Sequence, residues 1–265
     1  MKISHEVPLS LLQFSKNFND YDYCLPHLLD KYNQYKNFYI EGKLQDPKRF
    51  VIMDNGLFEG VTHTVNDLVE KINLVKPNIF IVPDSWNDTD TTFKNAKYWM
   101  NVIKPELPEE VNLMVVMQGT VDFRLKMLYE ACVELGYTHF AFNHSSELYQ
   151  RMFFHPNKLI NQMYGRQQLL TTLKREAVIN TNHYIHLLGA SLPQEFLYYK
   201  DPYFNFIDSV DTSSPIINGA LGITYEPYGL FTKPKNKIEE FFEDSLEEQI
   251  GNITFNINKF KEFVK

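Results

Sequence analysis

The sequence predicts an α/β fold, a single-domain (β/α)8 TIM-like barrel spanning residues 1–265. Three observations lead there. Short apolar or β-branched runs recur along the chain, each followed by a polar or glycine-containing turn. Runs this short and continuous suit strands buried on both faces of a parallel sheet. Amphipathic stretches separate them, the pattern of crossover units. The length of 265 residues is that of one barrel rather than of two domains.

The elements follow in order. Arg49–Met53 leads into Asp54-Asn55-Gly56, and Asn78–Val82 into Pro83-Asp84-Ser85. Leu113–Met117 leads into Gln118-Gly119-Thr120, and Thr138–Phe142 into Asn143-His144-Ser145. His183–Leu188 leads into Gly189-Ala190-Ser191, and Tyr203–Ile207 into Asp208-Ser209. Weaker strand signals near the N-terminus and around Ile216–Ile223 complete the set. Between them, Asn66–Val75 places apolar residues at Leu68, Val69, Ile72 and Val75, and Asp122–Leu135 stops at Gly136, as helices do. Asn161–Asn180 reads as a longer helix with a break near Gly165. No repeat, low-complexity tract or linker divides the chain; an acidic helical segment of about 236–265 follows the motif-bearing core of about 50–222.

Composition narrows the function classes. The formal charge of −7 argues against holding nucleic acid or an anionic membrane by bulk charge alone. No apolar run approaches the 18 or so residues of a membrane-spanning helix, and the first residues lack the apolar core of a signal peptide, so a cytoplasmic protein is expected. Two cysteines, Cys24 and Cys132, make neither a disulfide framework nor a four-cysteine zinc site. The 15% of aromatic residues reads chiefly as core filler.

The residues with chemical potential follow the strands: Asp54, Asp84, Gln118, Asn143, Gly189 and Asp208. In a barrel these positions gather on the C-terminal face, where barrel enzymes put their sites. Carboxylates without a metal-ligand histidine pattern suggest acid–base or nucleophilic chemistry; His183 and His186, three apart on a strand, face opposite sides. Glycine-rich phosphate cradles, G-x-S-x-G elbows and H-E-x-x-H helices are all missing from the sequence.

Five segments, taken in order, resemble the tRNA-guanine transglycosylases and their phage and bacterial DNA-modifying relatives. They are Ile52–Glu59, Val82–Ser85, Val116–Thr120, His186–Glu195 and Phe206–Val210. The resemblance implies an enzyme that exchanges guanine through a covalent glycosyl–aspartate intermediate, a pentosyl-transferring glycosyltransferase. Asp208 would then be the nucleophile and Asp54 the general acid/base. Asp84 would accept from the N–H edge of the base and Gln118 would donate to its carbonyl oxygen, with Gly119, Asn143 and Gly189 as further base contacts.

Departures from the tRNA enzymes redirect the expected partner. The cysteine cluster of their zinc subdomain is missing, so no cofactor is expected, and Asp211–Pro215 stands where they carry P-T-R. Leu57 and Glu59 replace a family glycine and glutamine. A compact chain without zinc resembles the phage DNA 7-deazaguanine transglycosylases. The expected partners are therefore DNA and a free base such as 7-cyano-7-deazaguanine, with homodimerisation common in the family and modification serving protection from restriction. From Leu148 to Arg175 there is no acidic residue, while Arg151, Lys158, Arg166, Lys174 and Arg175 give that segment a charge of +5. It is the expected grip on phosphates. The acidic residues Glu239–Glu248 are expected on the far side. The alternatives are the same exchange on tRNA, a catalytically silent barrel with a nucleic-acid-binding or accessory role, and a small-molecule barrel enzyme using an undetected metal.

Overall fold

The computed structural model describes residues 1–265. Eight strands form one parallel sheet: β1 Lys2–Ser4, β2 Asp22–Cys24, β3 Val51–Met53, β4 Ile79–Ile81, β5 Asn112–Val116, β6 His139–Asn143, β7 Tyr184–Leu188 and β8 Ile207–Asp211. Their spatial order is β1-β8-β7-β6-β5-β4-β3-β2, every neighbouring pair parallel. This is the expected barrel, nearly closed. β1 and β2 share no ladder, but side chains bridge the seam. Asp20 accepts from the Ile3 N–H (2.9 Å), while Asn19 accepts from the His5 N–H (2.7 Å) and donates back to the His5 carbonyl (2.9 Å).

Complete burial explains the apolar strands. Val51, Ile52, Met53, Ile79, Phe80 and Ile81 are all inaccessible to solvent. Helices cover the outer face of such a sheet and packed side chains fill its interior. Across that interior the His186 ring on β7 stacks on Tyr23 of β2, with centroids 6.2 Å apart. Local chemistry sets the helix ends. The Thr64 side chain accepts from the Asp67 N–H to start Val65–Val75, and Asp88 does the same for Thr89–Tyr98. No helix is long and apolar enough to cross a membrane.

Several expectations need correction. Ile216–Ile223 supplies no strand: Ser214–Ala220 is a helix with proline in its first turn, and the two short N-terminal strands complete the eight. The helix Lys158–Arg175 runs unbroken through Gly165. A Cβ at Gly165 would lie 2.4 Å from the Tyr149 backbone oxygen, so glycine marks a close helix contact there and not a break. The eighth strand begins where the sequence placed its end, at Ile207 instead of Tyr203. The acidic stretch is not one helix on the far side. A short 3-10 turn, Ile238–Phe241, precedes the terminal helix Ile250–Val264, and Glu239 faces the mouth of the barrel.

Candidate functional site

The C-terminal ends of the strands enclose a cavity of about 380 Å³. Asp54, Asp84, Gln118, Asn143 and Gly189 all line it, each from the end of a different strand. Gly119 is not among the lining residues. Neither is Asp208.

The placement of Asp208 has a simple cause. The β7–β8 ladder pairs Ile185 with Ile207 and His186 with Ser209, which leaves Asp208 as the extra residue of a bulge. Its carboxylate turns to the Ile185 N–H and accepts from it at 2.8 Å. Burial raises its pKa, opposed by the Ile185 N–H and by the charges of Lys2 and the N-terminal amine, which lie near the start of β1 and outside the cavity lining. The β8 carboxylate that reaches the cavity is Asp211, three residues on. Asp211 Oδ1 accepts from Gly189 N–H (3.3 Å) and lies 3.0 Å from His186 Nε2, while no protein donor engages Oδ2. Sequence reading passed over Asp211 because it stood beyond the supposed end of the strand.

Asp54 sits at the tip of β3. Its backbone N–H reaches the Cys24 carbonyl of β2 (2.9 Å), and its Oδ2 accepts from Gly56 N–H at 3.4 Å. The turn needs glycine: Gly56 has φ +80, and a Cβ there would approach the His63 ring at 3.2 Å. Burial raises the Asp54 pKa to about 6; the charges of Asp211 and Asp84 raise it too, against the opposing backbone N–H groups of Asn55 and Gly56. Glu59, three residues past Gly56, is pushed up to about 8 by burial and by Asp54, and its Oε2 has no partner. Glu6 is also raised, by burial and then by Asp211. The cavity thus holds one carboxyl group poised near neutrality beside two, Glu59 and Glu6, that burial pushes toward the protonated form.

Asp84 is oriented from both sides. Asn55 Nδ2 donates to its Oδ1 (3.0 Å) and Gln118 Nε2 to its Oδ2 (2.6 Å). Burial raises its pKa and these two donors oppose the rise. Gln118 is correspondingly committed, since its Oε1 accepts from the Asn87 N–H at 3.0 Å. Asn143 differs: it is buried, and its Nδ2 has no partner. His144 closes the wall beside Gly189, whose φ of +65 and a Cβ distance of only 2.8 Å from the His144 ring exclude a side chain. Burial, reinforced by Lys233 and Arg166, lowers the His144 pKa well below its ordinary value, so the ring is neutral.

The basic segment does not act as one surface. Arg166 is entirely buried: Nε donates to Glu195 (2.6 Å), Nη1 to the carbonyls of Phe142 and Leu188, and Nη2 to that of Gly189 (3.0 Å). It ties the ends of β6 and β7 together and is unavailable to phosphate. Arg151 and Lys158 stand together in an open groove near the mouth. Lys174 and Arg175 lie at the other end of the helix Lys158–Arg175, about 25 Å away at 1.5 Å per residue. There Lys174 covers the rings of Tyr203 and Phe206.

Sequence reading also missed the strap Lys233-Pro234-Lys235-Asn236-Lys237, which lines the cavity from above. Lys233 Nζ donates to the Ala190 carbonyl (2.9 Å), and Lys237 Nζ to that of Glu59 (3.2 Å). Three lysines within five residues were the available signal, hidden by the acidic run that follows. Although six carboxylates line the cavity, no three of the His, Cys, Asp and Glu side chains are arranged to hold a metal ion.

No protein-family model matches the chain, and no curated protein matches it.

Proposed function

We propose that this barrel exchanges guanine in DNA for a 7-deazaguanine base through a glycosyl–carboxylate intermediate, with Asp211 in the place first given to Asp208. The observation that carries the reading is one cavity in which an unengaged carboxylate oxygen, a carboxyl group tuned to about 6 and a polar base-reading pair meet: Asp211, Asp54, and Asp84 with Asn143. Asp211 Oδ2 attacks C1′ of the nucleotide as the C1′–N9 bond breaks, and the departing guanine takes its proton from Asp54. Asp54, now ionised, accepts the N9 proton of the incoming 7-deazaguanine. That base attacks C1′ and releases the Asp211 carboxylate. A group titrating near pH 6 can serve both steps.

Base recognition follows from the hydrogen-bond inventory. Asp84 retains lone pairs for the N1–H and exocyclic N–H donors of a guanine edge. The carbonyl oxygen of the base needs a donor; Asn143 Nδ2 is the unpartnered one, whereas Gln118 already serves Asp84 and Asn87. A guanine stacked within a duplex cannot reach these atoms, so the substrate is single-stranded or its base is flipped out.

The test supplies labelled 7-cyano-7-deazaguanine with guanine-containing DNA and, separately, with tRNA. Incorporation into DNA is expected for the wild type, with loss of incorporation and of a trapped covalent adduct in Asp211→Asn. Asp208→Asn should retain incorporation. Incorporation exclusively into tRNA would overturn the choice of polymer, and incorporation into neither would overturn the reading.

A further inference from the structure

Trp86 is half exposed at 52%, and it lines two cavities at once. On one side is the carboxylate-rich cavity. On the other is an open groove of about 420 Å³, lined by Ser145, Gln150, Arg151 and Lys158, with Glu147 as its single carboxylate. The ring therefore stands as a partition between a pocket that suits a base and a groove that suits phosphates.

The partition is anchored to the machinery behind it. Asn87, the next residue, holds a left-handed backbone with φ 56. Its N–H is bound by Gln118 Oε1 (3.0 Å), and its Oδ1 accepts from Ser146 Oγ (3.4 Å) and from the Glu147 N–H (3.3 Å). Gln118 is in turn bound to Asp84. One chain of hydrogen bonds thus runs from the base-reading carboxylate through the turn that presents Trp86 to the first turn of the helix carrying Arg151. Fixing in advance the turn that presents an aromatic ring lowers the entropic cost of stacking against it.

We infer that Trp86 is a stacking partition on a single-stranded polynucleotide track, separating the base in the carboxylate cavity from its neighbour, whose phosphates lie in the groove of Arg151 and Lys158. This deepens the proposed reading and rests on it for the identity of the occupant. A base ring placed against Trp86 gains stacking whatever its sequence. The two cations beyond it supply positive charge for backbone phosphates, Arg151 with its Nη1 on the Thr120 carbonyl (3.2 Å) and its Nη2 3.9 Å from Glu147.

The test uses the full chain and an oligothymidylate of about ten nucleotides, a length within the site sizes of single-strand binders. Without guanine this probe cannot undergo exchange, so it reports on the track alone. Trp99, the second tryptophan, is buried, so a change in emission reports on Trp86. Binding should quench that emission. Measured by anisotropy of labelled oligonucleotide, Trp86→Ala should weaken affinity by about five- to hundredfold, with Trp86→Phe close to wild type. Arg151→Gln and Lys158→Gln should each flatten the logarithmic salt dependence by about 0.7, one phosphate's worth for a single strand. Unquenched emission, or unchanged affinity in Trp86→Ala, would overturn the inference. Thymidylate binding with these properties in a protein that exchanges no base would uphold it while the function reading falls. Wild-type exchange and DNA affinity in Trp86→Ala would overturn it and leave that reading standing.

Discussion

Arg166→Met is the sharpest single perturbation of this fold. Arg166 and Glu195 have no solvent exposure, and Glu195 keeps only the Tyr199 hydroxyl (2.9 Å) once the guanidinium is gone, since its Oε2 is already unpartnered. Removing one partner of a buried ion pair leaves the other charge uncompensated, at a cost of about 3–5 kcal/mol. The carbonyls of Phe142, Leu188 and Gly189 lose their donor in the same substitution. For a chain of this size each kcal/mol lowers Tm by about 2–4 °C, so a fall of about 6–20 °C is expected. Thermal and urea denaturation followed by circular dichroism measure it. Arg166→Met/Glu195→Leu should recover most of the loss, because apolar replacement of both partners is often neutral. A loss below about 1 kcal/mol in the single variant would refute the ion-pair account. Unchanged stability with weakened, less salt-dependent DNA binding would return Arg166 to the phosphate-gripping role expected from the sequence.

Two further outcomes follow from the site and its supports. Glu59, raised from an ordinary 4.5 to about 8, binds its proton more tightly in the folded chain than in the unfolded one, so its ionisation destabilises the fold as pH rises through that window. Glu59→Gln should therefore melt above wild type at pH 8.5 and level with it at pH 4, and a gap that widened toward acid would refute the assignment. Gly165→Ala places a methyl group 2.4 Å from the Tyr149 backbone oxygen. The overpacking, about 1–3 kcal/mol, should exceed the helix-propensity gain of up to about 1 kcal/mol, giving a lower Tm. Tyr149 also holds the Asn143 carbonyl (3.0 Å), so on the proposed function this variant should weaken binding of the base as well; a higher Tm would refute the close contact.

The barrel and most of its mouth were legible in the amino-acid order. Runs such as Ile79-Phe80-Ile81 are apolar at every position because both faces of a parallel strand are covered, and Asp54, Asp84, Gln118 and Asn143 follow their strands directly. Those four reach the cavity through chain connectivity alone: whatever ends a strand in this architecture faces the same mouth. Three features depended on the folded chain. Asp208 and Asp211 lie three apart on one strand and so point to opposite sides, and which one faces the cavity turns on where β8 begins and on the bulge opposite Ile185 and His186. Arg166 carries a charge that composition assigns to the surface, yet the buried Glu195 and three strand-end carbonyls solvate it better than its neighbours in sequence suggest. Trp86 and the lysines at 233–237 meet one cavity from segments some 150 residues apart. Periodicity records which side of a helix or strand is apolar, and so it determined the fold; it holds no information on register or on distant partners, and for that reason only tertiary packing decided which carboxylate, which cations and which ring make the site.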